Sequence, residues 1–257
     1  MIYKKSPQEI EIMRRGGRIL ADVLNRIEDA LRPGITTAEL DRIAEEAITS
    51  AGARPSFKGY RGFPASICTS PNEVIVHGIP DDTVVDEGDI ISVDVGVLYE
   101  GLHVDSAWTL PVGEVAPDVA RLLRVTEEAL GAGIAQVAPG RRIGDIGHAV
   151  QQAAEAAGFS VVREYVGHGV GRALHEQPQI PNYGPPGRRE LLGVGMVLAI
   201  EPMVNAGGAG TRALDDGWTV VTADGGLSAH FEHTVAVVPE GHEVLTPRET
   251  KEALRAG

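Results

Sequence analysis

Two aspartates, Asp94 and Asp105, stand in the run ISVDVGVLYEGLHVDS, which is otherwise rich in valine. A turn centred between Tyr99 and Glu100 would set them opposite each other on an antiparallel hairpin, about 4.5–5.5 Å apart at Cβ, where like charges repel. Alternation assigns Ser92, Gly96, His103 and Ala107 to the face of the two acids, and Val93, Val95, Val97, Leu102 and Val104 to the other. One face therefore packs and the other lines something polar, with Gly96 opposite His103 leaving room beside the acids. His168 lies between glycines in GHGVG, and His175 follows seven residues later. Glu201 ends the apolar run GMVLAIE ahead of Pro202, and Glu232 enters the strand-like run LSAHFEHTVAVV. An acid in such a place is costly to bury unless it meets a cation. Asp94, Asp105, Glu201 and Glu232 together carry four negative charges, which two divalent cations would neutralise. With the imidazole of His168 they make the oxygen-rich ligand set of a dinuclear hydrolytic site, in which two ions about 3.5–4 Å apart share an activated water. One cysteine and no close His/Cys quartet exclude a zinc-finger pattern. Manganese, iron or cobalt are as admissible as zinc on such ligands.

Bringing together residues spread from 94 to 232 requires a particular frame. Ser6-Pro7-Gln8-Glu9 reads as a helix start, with Ser6 as N-cap, Pro7 at the first helical position and Glu9 closing a capping box. Ile10, Met13, Leu20, Val23, Leu24, Ile27 and Leu31 recur at helical spacing until Pro33-Gly34 breaks the pattern. A second helix is expected from about Thr37 to Ser50, with Gly52 near its end. The same text returns 106 residues later: Arg15, Arg18, Leu24, Pro33, Gly34, Ala47, Ala51 and Gly52 match Arg121, Arg124, Leu130, Pro139, Gly140, Ala153, Ala157 and Gly158. GDIISVD ends at Asp94 and GMVLAIE ends at Glu201, 107 positions on. That spacing is too long for a solenoid repeat. It predicts an α+β fold in one domain, residues 1–257, whose halves (about 7–110 and 113–238) each run αα then β. A pseudo-twofold axis between the halves would make their acids converge.

The chain has 257 residues, a net charge of −13 and 43% hydrophobic content, enough for a substantial core. The charge argues against a general nucleic-acid or anionic-membrane binder. The opening residues MIYKKSPQEIEIMRRGG contain no uninterrupted apolar stretch, so no signal peptide is expected. No apolar run reaches the length of a membrane span. A lone cysteine, Cys68, fits a reducing compartment, and a cytoplasmic location is the expectation.

The stretches NEVIVHGIP, DIISVDVGVLYEGLHVDSAWT, EYVGHGVGRALHEQPQI, GMVLAIEPMV and LSAHFEHTVAV resemble those of the type I methionine aminopeptidases, and the likeness covers essentially the whole chain. It implies the pita-bread fold and removal of the N-terminal methionine from nascent chains when the second residue is small. Asp94 would bind one metal, His168 and Glu201 the other, and Asp105 and Glu232 both; an activated water would be the nucleophile and Glu201 the proton shuttle. His77 would contact the backbone at the scissile peptide, and His175 would polarise its carbonyl. The methionine pocket maps onto Phe57, Tyr60, Phe63, Cys68, Leu174 and Trp218, with Phe57 standing where the family often has cysteine and Leu174 where an aromatic is common. A monovalent-cation site is implied near Asn72, Val74 and Ser228. A monomer is expected, and the resemblance leaves room for transient contact with the ribosome.

Three other readings are weaker. Proline-specific peptidases of the same fold usually carry an extra N-terminal domain, for which a chain opening on these helices leaves no room. Type II enzymes need an insert in the second half, but His168 to Glu201 spans 33 positions and Glu201 to Glu232 only 31. A binding protein that had lost catalysis should have lost ligands, and all five remain.

Overall fold

The protein is described from a computed structural model, which covers residues 2–248. Helix α1 (Pro7–Ala30) starts as its sequence dictates: the Ser6 hydroxyl accepts from the Glu9 N–H at 3.2 Å and the Glu9 carboxylate accepts from the Ser6 N–H at 2.8 Å. Helix α2 (Thr37–Ser50) is capped by the Thr36 hydroxyl, which accepts from the Glu39 N–H. Short strands β1 (Arg54–Pro55), β2 (Ile67–Pro71) and β3 (Val74–Val76) follow, and then the long hairpin of β4 (Ile90–Tyr99) and β5 (Leu102–Pro111). Helices α3 (Pro117–Ile134) and α4 (Ile143–Ala156) open the second half. Its strands are β6 (Ser160–Val161), β7 (Gly167–Gly169), β8 (Glu176–Ile180), β9 (Val197–Ile200) and β10 (Met203–Asn205). After them come β11 (Thr211–Ala213), β12 (Val220–Thr222), β13 (Ser228–His230), β14 (His233–Val238) and β15 (Gly241–Val244). Helices α2 and α4 have 14 residues each and start 106 positions apart, as do β1 and β6.

In the first half β4 pairs with β5 along its whole length and with β2 and β1 on its other edge, all antiparallel. In the second half the order is β15-β14-β9-β7-β8, again antiparallel. The apolar face of α1 packs on the first hairpin and α2 packs on α1, β1 and β2, in one cluster that includes Leu20, Leu24, Leu40, Val93, Val95 and Val104 and also takes Val197, Ala199 and Ala236 from the second half. A second cluster joins α3 and α4 to β9 and β14. Helices therefore cover the outer side of each sheet, and the inner sides meet at the centre.

The hairpin register differs from the one expected. Asp94 faces Ala107, and Asp105 faces Gly96, so the two acids are diagonal rather than direct neighbours. The turn is Glu100-Gly101, with φ of 47° and 85°. A two-residue hairpin turn of this hand needs positive φ at both central positions, and the glycine at 101 decides where it forms. A shift of two preserves the face, because side-chain alternation has period two. The acids remain on one side, now with Gly96 beside Asp105 instead of His103.

Candidate metal centre

Five elements deliver the five candidate ligands. Asp94 and Asp105 project from the inner face of the β4–β5 hairpin; His168 is the middle residue of β7. Glu201 follows β9, where Pro202 interrupts the chain before β10, and Glu232 sits between β13 and β14. The glycines around His168 serve close approach rather than unusual backbone angles. A Cβ on Gly167 would lie 2.3 Å from the Ala199 carbonyl oxygen, and one on Gly169 would lie 2.4 Å from that of Gln177. Strand β7 can enter between β8 and β9 only without side chains there, and that insertion drives His168 into the centre.

The ligand atoms of Asp105, His168 and Glu232 all lie within 4.8 Å of one another. His168 Nε2 stands 3.5 Å from Glu201 Oε1 and 3.9 Å from Asp105 Oδ2. Both separations are long for hydrogen bonds and suit neighbouring ligands of a shared ion. The buried oxygens Asp94 Oδ1, Asp105 Oδ1 and Glu232 Oε1 have no hydrogen-bond partner, a state that buried polar atoms rarely occupy. The other ring nitrogen of His168, Nδ1, lies 2.9 Å from the Gly169 carbonyl, to which it donates, so the Nε2 lone pair faces the acids. Orphaned carboxylate oxygens around a correctly oriented imidazole fit a divalent cation, and the cluster is a divalent metal site.

Electrostatics agree. Burial raises the Asp94 carboxyl to about 7. Burial and then the neighbouring acids push Asp105, Glu201 and Glu232 well above the usual carboxylate range. Burial lowers His168 to about 4, keeping it neutral and ligand-competent. Without a cation the cluster would hold protons.

Beside the acids lies a cavity of about 170 Å³ lined by Phe57, Tyr60, Phe63, Cys68, His77, Leu174, His175 and Trp218 together with the acids and His168. Phe63 meets Trp218 edge-on at 5.0 Å and Phe57 at 6.5 Å, giving one apolar end. Cys68 pairs with Asp94 across β2 and β4, and burial followed by the Asp94 and Asp105 charges pushes its thiol up. It is a small apolar wall, not a thiolate. His175 Nδ1 is 2.9 Å from the Tyr60 hydroxyl, and its ring lies 4.2 Å from that of His168. His77 has φ of 61° and is held edge-on between Tyr165 and Trp218 at 5.8 and 6.4 Å. Of the three positions for a monovalent cation, Asn72 and Ser228 meet through a backbone hydrogen bond of 2.9 Å, and Val74 opens β3, which packs on β13.

Two residues at the centre escaped the sequence reading. Arg61 lines the cavity mouth with φ of 50°, and nothing in YRGF marks it. His230 is buried, with Nε2 unpartnered and 3.9 Å from Glu201 Oε2. Its place two residues before Glu232 was a signal, since period two puts both on one side of a strand.

A description of metallopeptidase family M24 matches residues 11–239. Methionine aminopeptidase 1 of Bacillus subtilis is 55% identical over 96% of this chain and 99% of its own length. The methionine aminopeptidase of Clostridium perfringens is 54% identical over the same shares. Among solved structures, the methionine aminopeptidase from Rickettsia prowazekii superposes with a TM-score of 0.95 at 44% identity, covering 96% of this chain and all of its own.

Proposed function

The chain belongs to metallopeptidase family M24 and has its pita-bread fold, and from that premise we propose that it removes the N-terminal methionine of peptides and nascent proteins when the second residue is small. The observation that carries this reading is one cavity in which an apolar end, formed by Phe57, Phe63, Leu174 and Trp218, opens onto a divalent metal site. A thioether side chain suits that end.

Asp94, Asp105, His168, Glu201 and Glu232 would hold two divalent ions, drawn from cobalt, manganese, iron or zinc. Such ions, when bound, act as Lewis acids and lower the pKa of water to near neutrality. The remaining chemistry belongs to side chains. Glu201 would take the proton of the attacking water and deliver it to the departing amine of the second residue. His175, whose Nδ1 lies 2.9 Å from the Tyr60 hydroxyl, would accept a hydrogen bond from that hydroxyl, carry its own proton on Nε2 and donate to the scissile carbonyl oxygen as negative charge grows on it. Donors of that kind are worth roughly 2.7–4 kcal/mol. Burial holds His77 neutral, suited to a hydrogen bond with the peptide backbone rather than to an ion pair. Tyr60 and Cys68 complete the pocket wall. Asn72, Val74 and Ser228 would bind a monovalent cation. The chain would work in the cytoplasm as a single-domain monomer on nascent chains, in transient contact with the ribosome.

Peptide libraries varied at the first two positions and read by mass spectrometry test the substrate. Cleavage of Met before Gly, Ala or Ser, with poor cleavage before Lys, Glu or Leu, is expected. A preference for proline at position two whatever the first residue would overturn the reading in favour of a proline-specific peptidase.

A further inference from the structure

Leu174 and His175 lie in the connection between β7 and β8, outside any regular element, and Arg172 and Ala173 beside them are exposed. Something else must fix a histidine on such a loop. The answer lies at the other end of the chain. Lys5 Nζ donates to Glu176 Oε2 at 2.5 Å, and the two side chains are only 1% and 3% exposed. The Arg26–Asp22 and Arg42–Glu46 pairs, by contrast, have both side chains more than half exposed, and even Arg248–Glu28 is 21% and 29% exposed. Glu176, adjacent to His175, uses its other oxygen to accept the Ala173 N–H at 3.1 Å, and the Gly171 N–H closes on the Ala173 carbonyl at 3.1 Å. A Cβ on Gly171 would stand 2.2 Å from Lys5 Cε, so the lysine lies directly against the loop backbone. The Gly171 carbonyl in turn accepts the His103 N–H of β5 at 2.7 Å. Lys5 is itself pinned by its own N–H on the Gly195 carbonyl at 2.7 Å, and Ile2 bridges to Gln177.

A buried ion pair is a poor way to gain stability, because desolvation offsets the attraction. Its yield here is geometry. We propose that Lys5 is a positioning residue for catalysis: with Glu176 it clamps the 171–176 loop so that His175 stands between Tyr60 and His168, which makes the N-terminal segment a working part of the active site. This rests on the reading of His175 as donor to the scissile carbonyl. Chemistry of that kind is sensitive to placement, and a shift of about 1 Å costs on the order of 10²-fold in rate.

The test uses the full-length, metal-loaded protein. Replacing both partners by apolar residues of similar length, Lys5→Met with Glu176→Met, leaves no unpaired buried charge. This double variant should keep wild-type metal stoichiometry and a similar Tm, while kcat falls about 10²-fold and KM for a Met-Ala peptide changes little. In a His175→Ala background the same pair of substitutions should produce no further fall, since the loop would then have nothing to aim. Wild-type kcat in the double variant overturns the proposal, as does a fall that multiplies with that of His175→Ala or one matched by loss of metal. Should the double variant not fold, Glu176→Gln has the same shape and still accepts the Ala173 N–H. A lowered kcat that vanishes in the His175→Ala background then supports the clamp, and an unchanged kcat overturns it. A His175→Ala enzyme with wild-type kcat sinks the donor assignment and the clamp together. A slow His175→Ala enzyme beside a fast double variant sinks the clamp alone.

Discussion

Asp105 is the most heavily loaded side chain at the centre. Its backbone N–H and C=O are both bonded to the Thr234 hydroxyl, at 2.9 and 2.7 Å, which locks the hairpin to β14 and leaves the carboxylate to face His168 and Glu232. Burial, Glu232 and Asp94 all raise its pKa, so only a cation makes the ionised form tolerable there. On the proposed assignment Asp105→Ala would remove a carboxylate that serves both ions, while the Thr234 lock, which uses only backbone atoms of residue 105, persists. The variant should fold, bind fewer than two divalent ions per chain by atomic emission, and lose peptidase activity. Full metal content with full activity would refute the role given to Asp105.

At the scale of elements, the hairpin and the pocket are coupled through Gly96. A Cβ there would meet Phe57 Cε1 and Ser56 Cβ, both at 2.7 Å, because β1 pairs along the edge of β4 and the Ser56 N–H continues that pairing onto the Gly96 carbonyl. Gly96→Ala should therefore displace the Phe57 ring, which lines the cavity proposed to take the methionine side chain, without touching a candidate ligand. Overpacking of this kind costs about 1–3 kcal/mol. The expected outcome is a rise in KM for Met-Ala peptides of roughly tenfold or more, with metal stoichiometry unchanged and a modest loss of Tm. A KM unchanged while metal is lost would mean that Gly96 supports the acids and not the pocket wall.

For the whole molecule, the decisive quantity is the charge gathered where the two halves meet. In metal-free protein Asp94 titrates at about 7, and Asp105, Glu201 and Glu232 are raised well above their ordinary values. Unfolding returns these groups to about 4. Their folded pKa values being higher, the native state holds more protons between pH 4 and 7. The contribution of these four carboxyls to stability is therefore fully present below about pH 4 and is lost as pH rises through that window. Other groups add to the curve, so the comparison that isolates the centre is metal-free against metal-loaded protein. Divalent ions displace the protons and stabilise only the native state, so the stabilisation from metal should grow from pH 5 to 8, reaching several degrees of Tm. Equal Tm with and without metal at pH 7.5 would contradict a cation between the halves.

What the sequence determined by itself was mostly local. The capping box at Ser6 and Glu9, the helices at Pro7–Ala30 and Thr37–Ser50 and the face on which Asp94 and Asp105 lie are readable from neighbours a few residues apart, and the doubled text at a spacing of 106 is readable by laying the chain against itself. Asp94, Asp105, His168, Glu201 and Glu232, which the fold gathers at one cavity, stood out as well, because a carboxylate or imidazole in apolar or glycine-rich strand sequence is an anomaly that needs a cause. Tertiary structure decided the rest. The hairpin register turned on positive φ at Glu100 and Gly101, and the glycines around His168 were explained by the carbonyls of Ala199 and Gln177, which pack against them. His230 and Arg61 joined the centre through proximity across the fold, and Lys5 reached Glu176 across 171 positions. Periodicity and local propensity act over a turn or a strand, whereas burial and electrostatic pairing depend on which distant segments the packed core brings into contact.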